Sequence, residues 1–244
     1  MSGAMTIDQL LSGLGQHMPV APAPYKLTPG KTGLVIIDEV NGFATVGCGP
    51  LAPPVPNPQV TRMIAETDRL ARRFTVAGAP VFVTRDVHDA DRPEPPYPPH
   101  CIKGTGDEEL VPALAWLTGT AGVTILDKDC INSFVGAIQP DGRNLLLDWI
   151  IDNHLEAVIY TGICTDICVM DAVLALLSAR NHGIAGKLRD VVIFEPACAT
   201  YDLPRAVADD LSLPPTAAHP QALAHHLGLY FMASRGAVIA SSLE

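Results

Sequence analysis

Six short apolar runs recur along the chain, at residues 33–38, 80–84, 123–126, 157–161, 191–194 and 237–240. The first contains Leu34-Val35-Ile36-Ile37, apolar at successive positions, so neither face of that strand tolerates water. Strands of this kind belong in a parallel sheet covered on both sides by helices. Stretches of helical period lie between the runs. Met63, Ile64, Thr67, Leu70, Ala71 and Phe74 form one stripe, and residues 145–153, 166–182 and 221–233 supply others. The alternation predicts an α/β fold: a doubly wound, mainly parallel six-stranded sheet with helices on both faces. In open sheets of this class ligands bind beyond the carboxyl ends of the strands. Asp38, Asp86, His88, Lys128 and the turn from Cys164 to Cys168 all fall there. No GxGxxG follows a strand and no GxxxxGK[ST] is present, so dinucleotide and P-loop readings lack support.

The 244 residues suit one domain over 31–244, preceded by a proline-rich arm over 1–30 in which residues 6–15 form a short helix starting near Thr6 or Asp8. A formal net charge of −10 argues against nucleic acid or an anionic membrane as the main partner. No apolar run reaches the ~18–20 residues needed to cross a bilayer. Met1 to Met5 show none of the regions of a signal peptide, and the six cysteines match no CxxC metal pattern. The expectation is a cytoplasmic protein with a small-molecule partner. The apolar stretch 227–233 fits either a homo-oligomer contact or a cover for the sheet.

Cys168 stands at the start of a long helix directly after a buried strand, where the unpaired N–H groups and the helix dipole favour a thiolate. Its alternative role is that of a small buried hydrophobe. Cys164 is the rival nucleophile, but its place in the turn suits it better as a backbone donor to an oxyanion. A thiol needs a proton acceptor, and Asp38 closes a fully apolar strand, where partial burial makes a carboxylate a better base. Lys128, at another strand end, can hold Asp38 ionised by charge pairing. A second group is Asp86-Val87-His88 followed by Glu94-Pro95-Pro96-Tyr97-Pro98-Pro99-His100-Cys101. Residues two apart on extended chain point the same way, as two metal ligands must, and the stiff proline arm can present His100 and Glu94 to the same ion. Such ligands suit Zn²⁺, Fe²⁺ or Mn²⁺. The spacing by itself fits equally well a polar loop with two unrelated histidines. Tyr97 and Phe43 are candidate walls for a flat substrate, or packing residues. His154, His182, His219, His225 and His226 show no ligand spacing tied to this group, and Cys48, Cys101, Cys130 and Cys198 read as inert.

Taken together, these residues resemble the isochorismatase-like cysteine hydrolase superfamily, and within it the plant-type branch of the nicotinamidases. The matching elements are Val35-Ile36-Ile37-Asp38 with Phe43, Asp86-Val87-His88, Tyr97 to Cys101 with Gly104-Thr105, Lys128, and Gly162 to Cys168, within roughly residues 33–240. The resemblance implies a catalytic triad of Asp38, Lys128 and Cys168, and an oxyanion hole from the backbone N–H groups of Cys164 and Cys168. It also implies a cis peptide between Ile163 and Cys164, and substrate contacts from Phe43 and Tyr97. The metal ligands it implies are Asp86, His88 and His100. The fourth ligand is histidine or glutamate in that family; no histidine lies between His88 and His100, so Glu94 takes the place. The implied activity is hydrolysis of nicotinamide through a cysteine thioester, with one divalent metal ion, in a homo-oligomer. The family usually has alanine where Cys164 stands. Three other readings remain at this stage: a related cysteine amidase acting on another small amide or lactam, a metal-hydroxide hydrolase, and a non-catalytic partner protein on the same fold.

Overall fold

The computed structural model describes residues 6–244. The first five residues, where the sequence shows no signal-peptide pattern, lie outside the described residues. The elements run α1 (Ile7–His17), β1 (Ala23–Tyr25), β2 (Thr32–Ile37), α2 (Asn41–Ala44), α3 (Pro58–Val76), β3 (Val81–Asp86) and β4 (Val123–Lys128). Then come α4 (Ser133–Gly136), α5 (Leu145–Asp152), β5 (Ala157–Ile163), α6 (Cys168–His182), β6 (Asp190–Ala199), α7 (Arg205–Asp210), α8 (Gln221–Ala233) and β7 (Val238–Leu243).

All strand pairs are parallel, in the order β1-β7-β6-β5-β2-β3-β4. The sheet therefore has seven strands where the apolar runs predict six. The extra one is β1, Ala23-Pro24-Tyr25, from the N-terminal arm. Its proline and shortness hide it in the sequence, and proline in a sheet is confined to such edge positions.

Each central strand is buried on both faces because its side chains alternate between two cores. Val35 and Ile37 of β2 join the core under α5, α6 and α8, with Trp149, Val173 and Met232. Leu34 and Ile36 join the opposite core with Met63, Leu70 and Phe74 of α3. Each such fully buried side chain contributes about 1.5–3 kcal/mol. Helix starts follow local chemistry: Asn57 accepts from the N–H groups of Gln59 and Val60 ahead of Pro58, the first residue of α3. Among the described residues no helix is long and apolar enough to cross a membrane.

From β2 the chain winds outward through β3 and β4, then returns to the other side of β2 and winds through β5, β6 and β7. The winding reverses between β2 and β5, which is where such folds build their sites. Gly162, at φ 122°, makes that junction close: a Cβ there would overlap the carbonyl oxygen of Ile37. The end of β5 thus lies against the end of β2, and the turn carrying Cys164 and Cys168 is seated beside Asp38.

Candidate active site

Three adjacent strands end in charged residues. Asp38 follows β2, Asp86 closes β3 and Lys128 closes β4, with Asp86 and Lys128 in register. All three side chains are buried. The Lys128 ammonium lies 2.8 Å from Asp38 Oδ2 and 2.8 Å from Asp86 Oδ1, bridging the two carboxylates. Thr84 donates its hydroxyl to Asp38 Oδ1 at 2.7 Å, while Oδ2 accepts no aligned hydrogen bond and keeps a lone pair for a proton. Asp38 has φ 52°, a left-handed backbone that aspartate tolerates better than most residues and that turns the chain at the strand end.

The charges decide the protonation states. Burial raises the pKa of Asp38, and the pull of Lys128 does not overcome it. Burial works against the charged Lys128 too, but Asp38, Cys168 and Asp86 hold its pKa well above the ordinary value. For Asp86 burial is likewise outweighed, by Lys128, His100 and His88, and the carboxyl stays below the usual carboxylate range.

Cys168 is the first residue of α6, and its thiol senses Lys128 and Asp38. Its helix position favours a thiolate, and its burial works against one. Burial pushes the Cys168 thiol well above its ordinary pKa; Lys128 pulls it down, and Asp38, Cys164 and Asp86 push it up. The magnitudes explain the outcome: a helix N-terminus offers about 0.3–2 kcal/mol, whereas full burial of a charge shifts a pKa by up to about 3–5 units. Burial thus opposes ionisation of the sulfur and calls for a base beside it. The peptide between Ile163 and Cys164 is cis, as the resemblance implies.

Asp86 serves two partners at once. Its Oδ1 faces Lys128, while Oδ2 lies 2.9 Å from His88 Nε2 and 3.1 Å from His100 Nε2. Glu94 Oε2 is 3.8 Å and 3.7 Å from the same two nitrogens. His100 arrives because residues 101–103 pair with His88: its N–H donates to the Cys101 carbonyl, and Lys103 N–H donates to the His88 carbonyl. His100 Nδ1 bonds the Pro98 carbonyl at 2.7 Å, which turns Nε2 to the cluster. Ile131 N–H anchors Glu94 Oε1 at 2.8 Å and leaves Oε2 to the group. One ligand atom from each of the four residues lies within 4.8 Å of the others. Two imidazoles and two carboxylates converging in this way fit a divalent cation of the Zn²⁺, Fe²⁺ or Mn²⁺ type.

Cys168, Cys164, Asp86, Glu94 and His100 line one pocket. Phe43 and Tyr97 line it too, their rings 5.5 Å and 6.1 Å from that of His100. Of the site residues expected from the sequence, Phe43, Asp86, Glu94, Tyr97, His100, Cys164 and Cys168 line this pocket; His88 meets it through Asp86, and Lys128 links Asp86 to Asp38. Residues the sequence reading did not single out are Leu51, Ile131, Ile167 and Tyr201, which with Ile163 add apolar and aromatic lining. Tyr201 follows the carboxyl end of β6, and that position was its available signal. The buried Glu39 is also new. Among the described residues neither carboxylate oxygen has a well-formed hydrogen bond, and burial, eased only by the nearby Thr67 hydroxyl, pushes its pKa well above the ordinary value.

An isochorismatase-domain family model matches residues 32–237. Nicotinamidase 1 of Arabidopsis thaliana is 49% identical over 214 residues, covering 88% of this chain and 87% of that protein. A nicotinamidase structure from Bacillus subtilis superposes with a TM-score of 0.64 at 25% identity, over 86% of this chain and all of the other. A zinc complex of a pyrazinamidase from Pyrococcus horikoshii gives a TM-score of 0.60 at 21% identity, over 86% of this chain and 98% of the other. With the family model spanning most of its length around the site just described, the chain belongs to the isochorismatase domain family.

Proposed function

We propose that this protein is a nicotinamidase, hydrolysing nicotinamide to nicotinic acid and ammonia through a thioester on Cys168. One observation carries the reading: a single pocket is lined by the buried Cys168 thiol, three members of a metal-ligand group and three aromatic rings. The 49% identity to a protein named as a nicotinamidase supports it.

In this reading Asp38 Oδ2 takes the Cys168 proton as sulfur bonds to the carboxamide carbon. The negative charge that develops on oxygen is received by the backbone N–H groups of Cys164 and Cys168, each such donor contributing about 3–4 kcal/mol in comparable sites. Asp38 then passes its proton to the nitrogen as the C–N bond breaks and ammonia leaves. Water attacks the thioester while Asp38 accepts its proton, and the C–S bond breaks as Asp38 returns that proton to sulfur, releasing the acid and restoring the thiol. Lys128 keeps compensating positive charge beside Asp38 throughout. Phe43 and Tyr97 hold the ring. Asp86, His88, Glu94 and His100 would hold a divalent cation, which would supply Lewis acidity to orient the pyridine ring. A reducing cytoplasm suits the six free cysteines, and a homo-oligomer remains part of this proposal.

The test is ammonia release from nicotinamide by wild type, Cys168→Ala and Cys164→Ala. The expected result is a loss of about a thousandfold or more for the first and less than about tenfold for the second, which removes a side chain but no backbone donor. Activity that survives Cys168→Ala and vanishes in Cys164→Ala overturns the assignment. A wild type that turns over only other small amides rejects nicotinamide as substrate.

A further inference from the structure

The pocket has a third aromatic residue, Tyr201, held from behind. One face of its ring is stacked on His219, with centroids 3.8 Å apart and planes at 13°. The opposite face or the edge is what remains for the pocket. His219 grips Tyr201 a second time, its Nδ1 lying 2.9 Å from the Tyr201 carbonyl oxygen. Its Nε2 lies 2.7 Å from Asp166 Oδ2. A carbonyl only accepts, and an ionised carboxylate only accepts, so both ring nitrogens donate and His219 is an imidazolium. Burial opposes that charge, and the bond to Asp166 outweighs it, raising the His219 pKa.

Asp166 is in turn fixed. Thr200 donates its hydroxyl to Oδ1 at 2.6 Å. Behind it, a Cβ at Gly228 of α8 would come within 2.8 Å of the Asp166 Cα, so the helix seats directly against this residue. His219 and Leu203 exchange backbone hydrogen bonds of 2.9 Å and 2.7 Å, which fixes the imidazole from the other side. The two charged side chains are only 12% and 16% exposed, unlike surface pairs that contribute little. Asp166 belongs to the turn between Cys164 and Cys168, so one network couples the Tyr201 ring to the segment that bears the nucleophile.

We propose that Tyr201 contacts the substrate and sets a preference for amides on a flat ring, with His219 and Asp166 as positioning residues that hold its ring against the pocket. This rests on the amidase reading above and names a specificity element within it. It accounts for a buried ion pair near the nucleophile that the bond-breaking steps do not use.

The experiment compares kcat and KM for nicotinamide and acetamide in wild type, Tyr201→Phe, Tyr201→Ala and His219→Ala. Tyr201→Ala should raise KM for nicotinamide about tenfold through lost ring contact, leave acetamide within about twofold, and change kcat little, while Tyr201→Phe stays near wild type. His219→Ala should shift the same ratio in the same direction. If it does not fold, Tyr201→Leu takes its place, with the same ratio expected. Equal effects on both amides, or none on either, overturn the inference. Calorimetric titration of nicotinamide into Cys168→Ala, with and without Tyr201→Ala, reads the wall without turnover. About tenfold weaker binding in the double variant supports the inference even where wild type releases no ammonia from nicotinamide, a result that would reject only the function. Equal or undetectable binding in both overturns it.

Discussion

Lys128 is the residue on which the electrostatics of the site turn. Its ammonium stands 2.8 Å from each of two buried carboxylates, so it neutralises charges that water cannot reach. Removing one partner of such a group is costlier than the pair is valuable, because the remaining charges stay buried and uncompensated. Lys128→Met, close in length and without charge, should lower unfolding free energy by about 3–5 kcal/mol in urea titrations at pH 7. An unchanged midpoint would contradict the bridging geometry. Asp38, Lys128 and Cys168 were legible as chemistry-bearing residues because each ends or follows an apolar strand. The protonation of Cys168 was not. Sequence position reports the helix N-terminus, whereas the deciding effect is burial, which depends on segments far away along the chain. Tyr201 escaped notice for a related reason, since its partner His219 lies 18 residues on and meets it only through folding.

At the scale of elements, alternation of strand and helix was readable because both faces of the central strands are apolar. The boundaries were less so. β6 continues through Glu195 and Pro196 to Ala199, well past the apolar run, because a bulge lets it absorb them. Pairing with β5 steps from Tyr160↔Ile193 to Gly162↔Cys198, and beyond that slip Thr200 reaches Asp166 and Tyr201 reaches the pocket. The N-terminal arm divides in two. β1 joins the sheet edge, while α1 has a Thr6–Gln9 capping box but no buried residue. Its attachments include a contact with α8 and a hydrogen bond from His226 to the Met18 carbonyl. Deleting residues 1–17 should therefore lower the melting temperature by no more than about 4 °C, the shift for roughly 1 kcal/mol in a chain of this size, and leave ammonia release unchanged. Loss of folding on this deletion would mean that α1 is integral to the domain.

For the whole molecule, the metal-ligand group ties together the end of β3, the proline-rich segment 93–99 and, through Glu94 and Ile131, the segment after β4. A cation bound there stabilises only the folded chain, since the four ligands are scattered in the unfolded one. At a hundred times its dissociation constant the gain is about 2.7 kcal/mol, or roughly 5–10 °C in melting temperature. Zn²⁺, Fe²⁺ or Mn²⁺ added to chelator-treated protein should produce that shift in wild type and not in His100→Ala. Identical melts with and without metal would remove the four residues from consideration as ligands. What the sequence by itself determined is the alternating pattern, and with it the sheet and the row of strand ends where Asp38, Asp86, Lys128 and Cys168 stand. These are local facts: a side chain's face follows from its neighbours, and a strand's end follows from where the apolar run stops. Tertiary structure alone decided which carboxylate oxygen faces Lys128 and which the histidines, that burial works against a Cys168 thiolate, and that Tyr201 lines the pocket. Desolvation and Coulomb energies depend on distances in space, and the order of residues along a chain does not contain them.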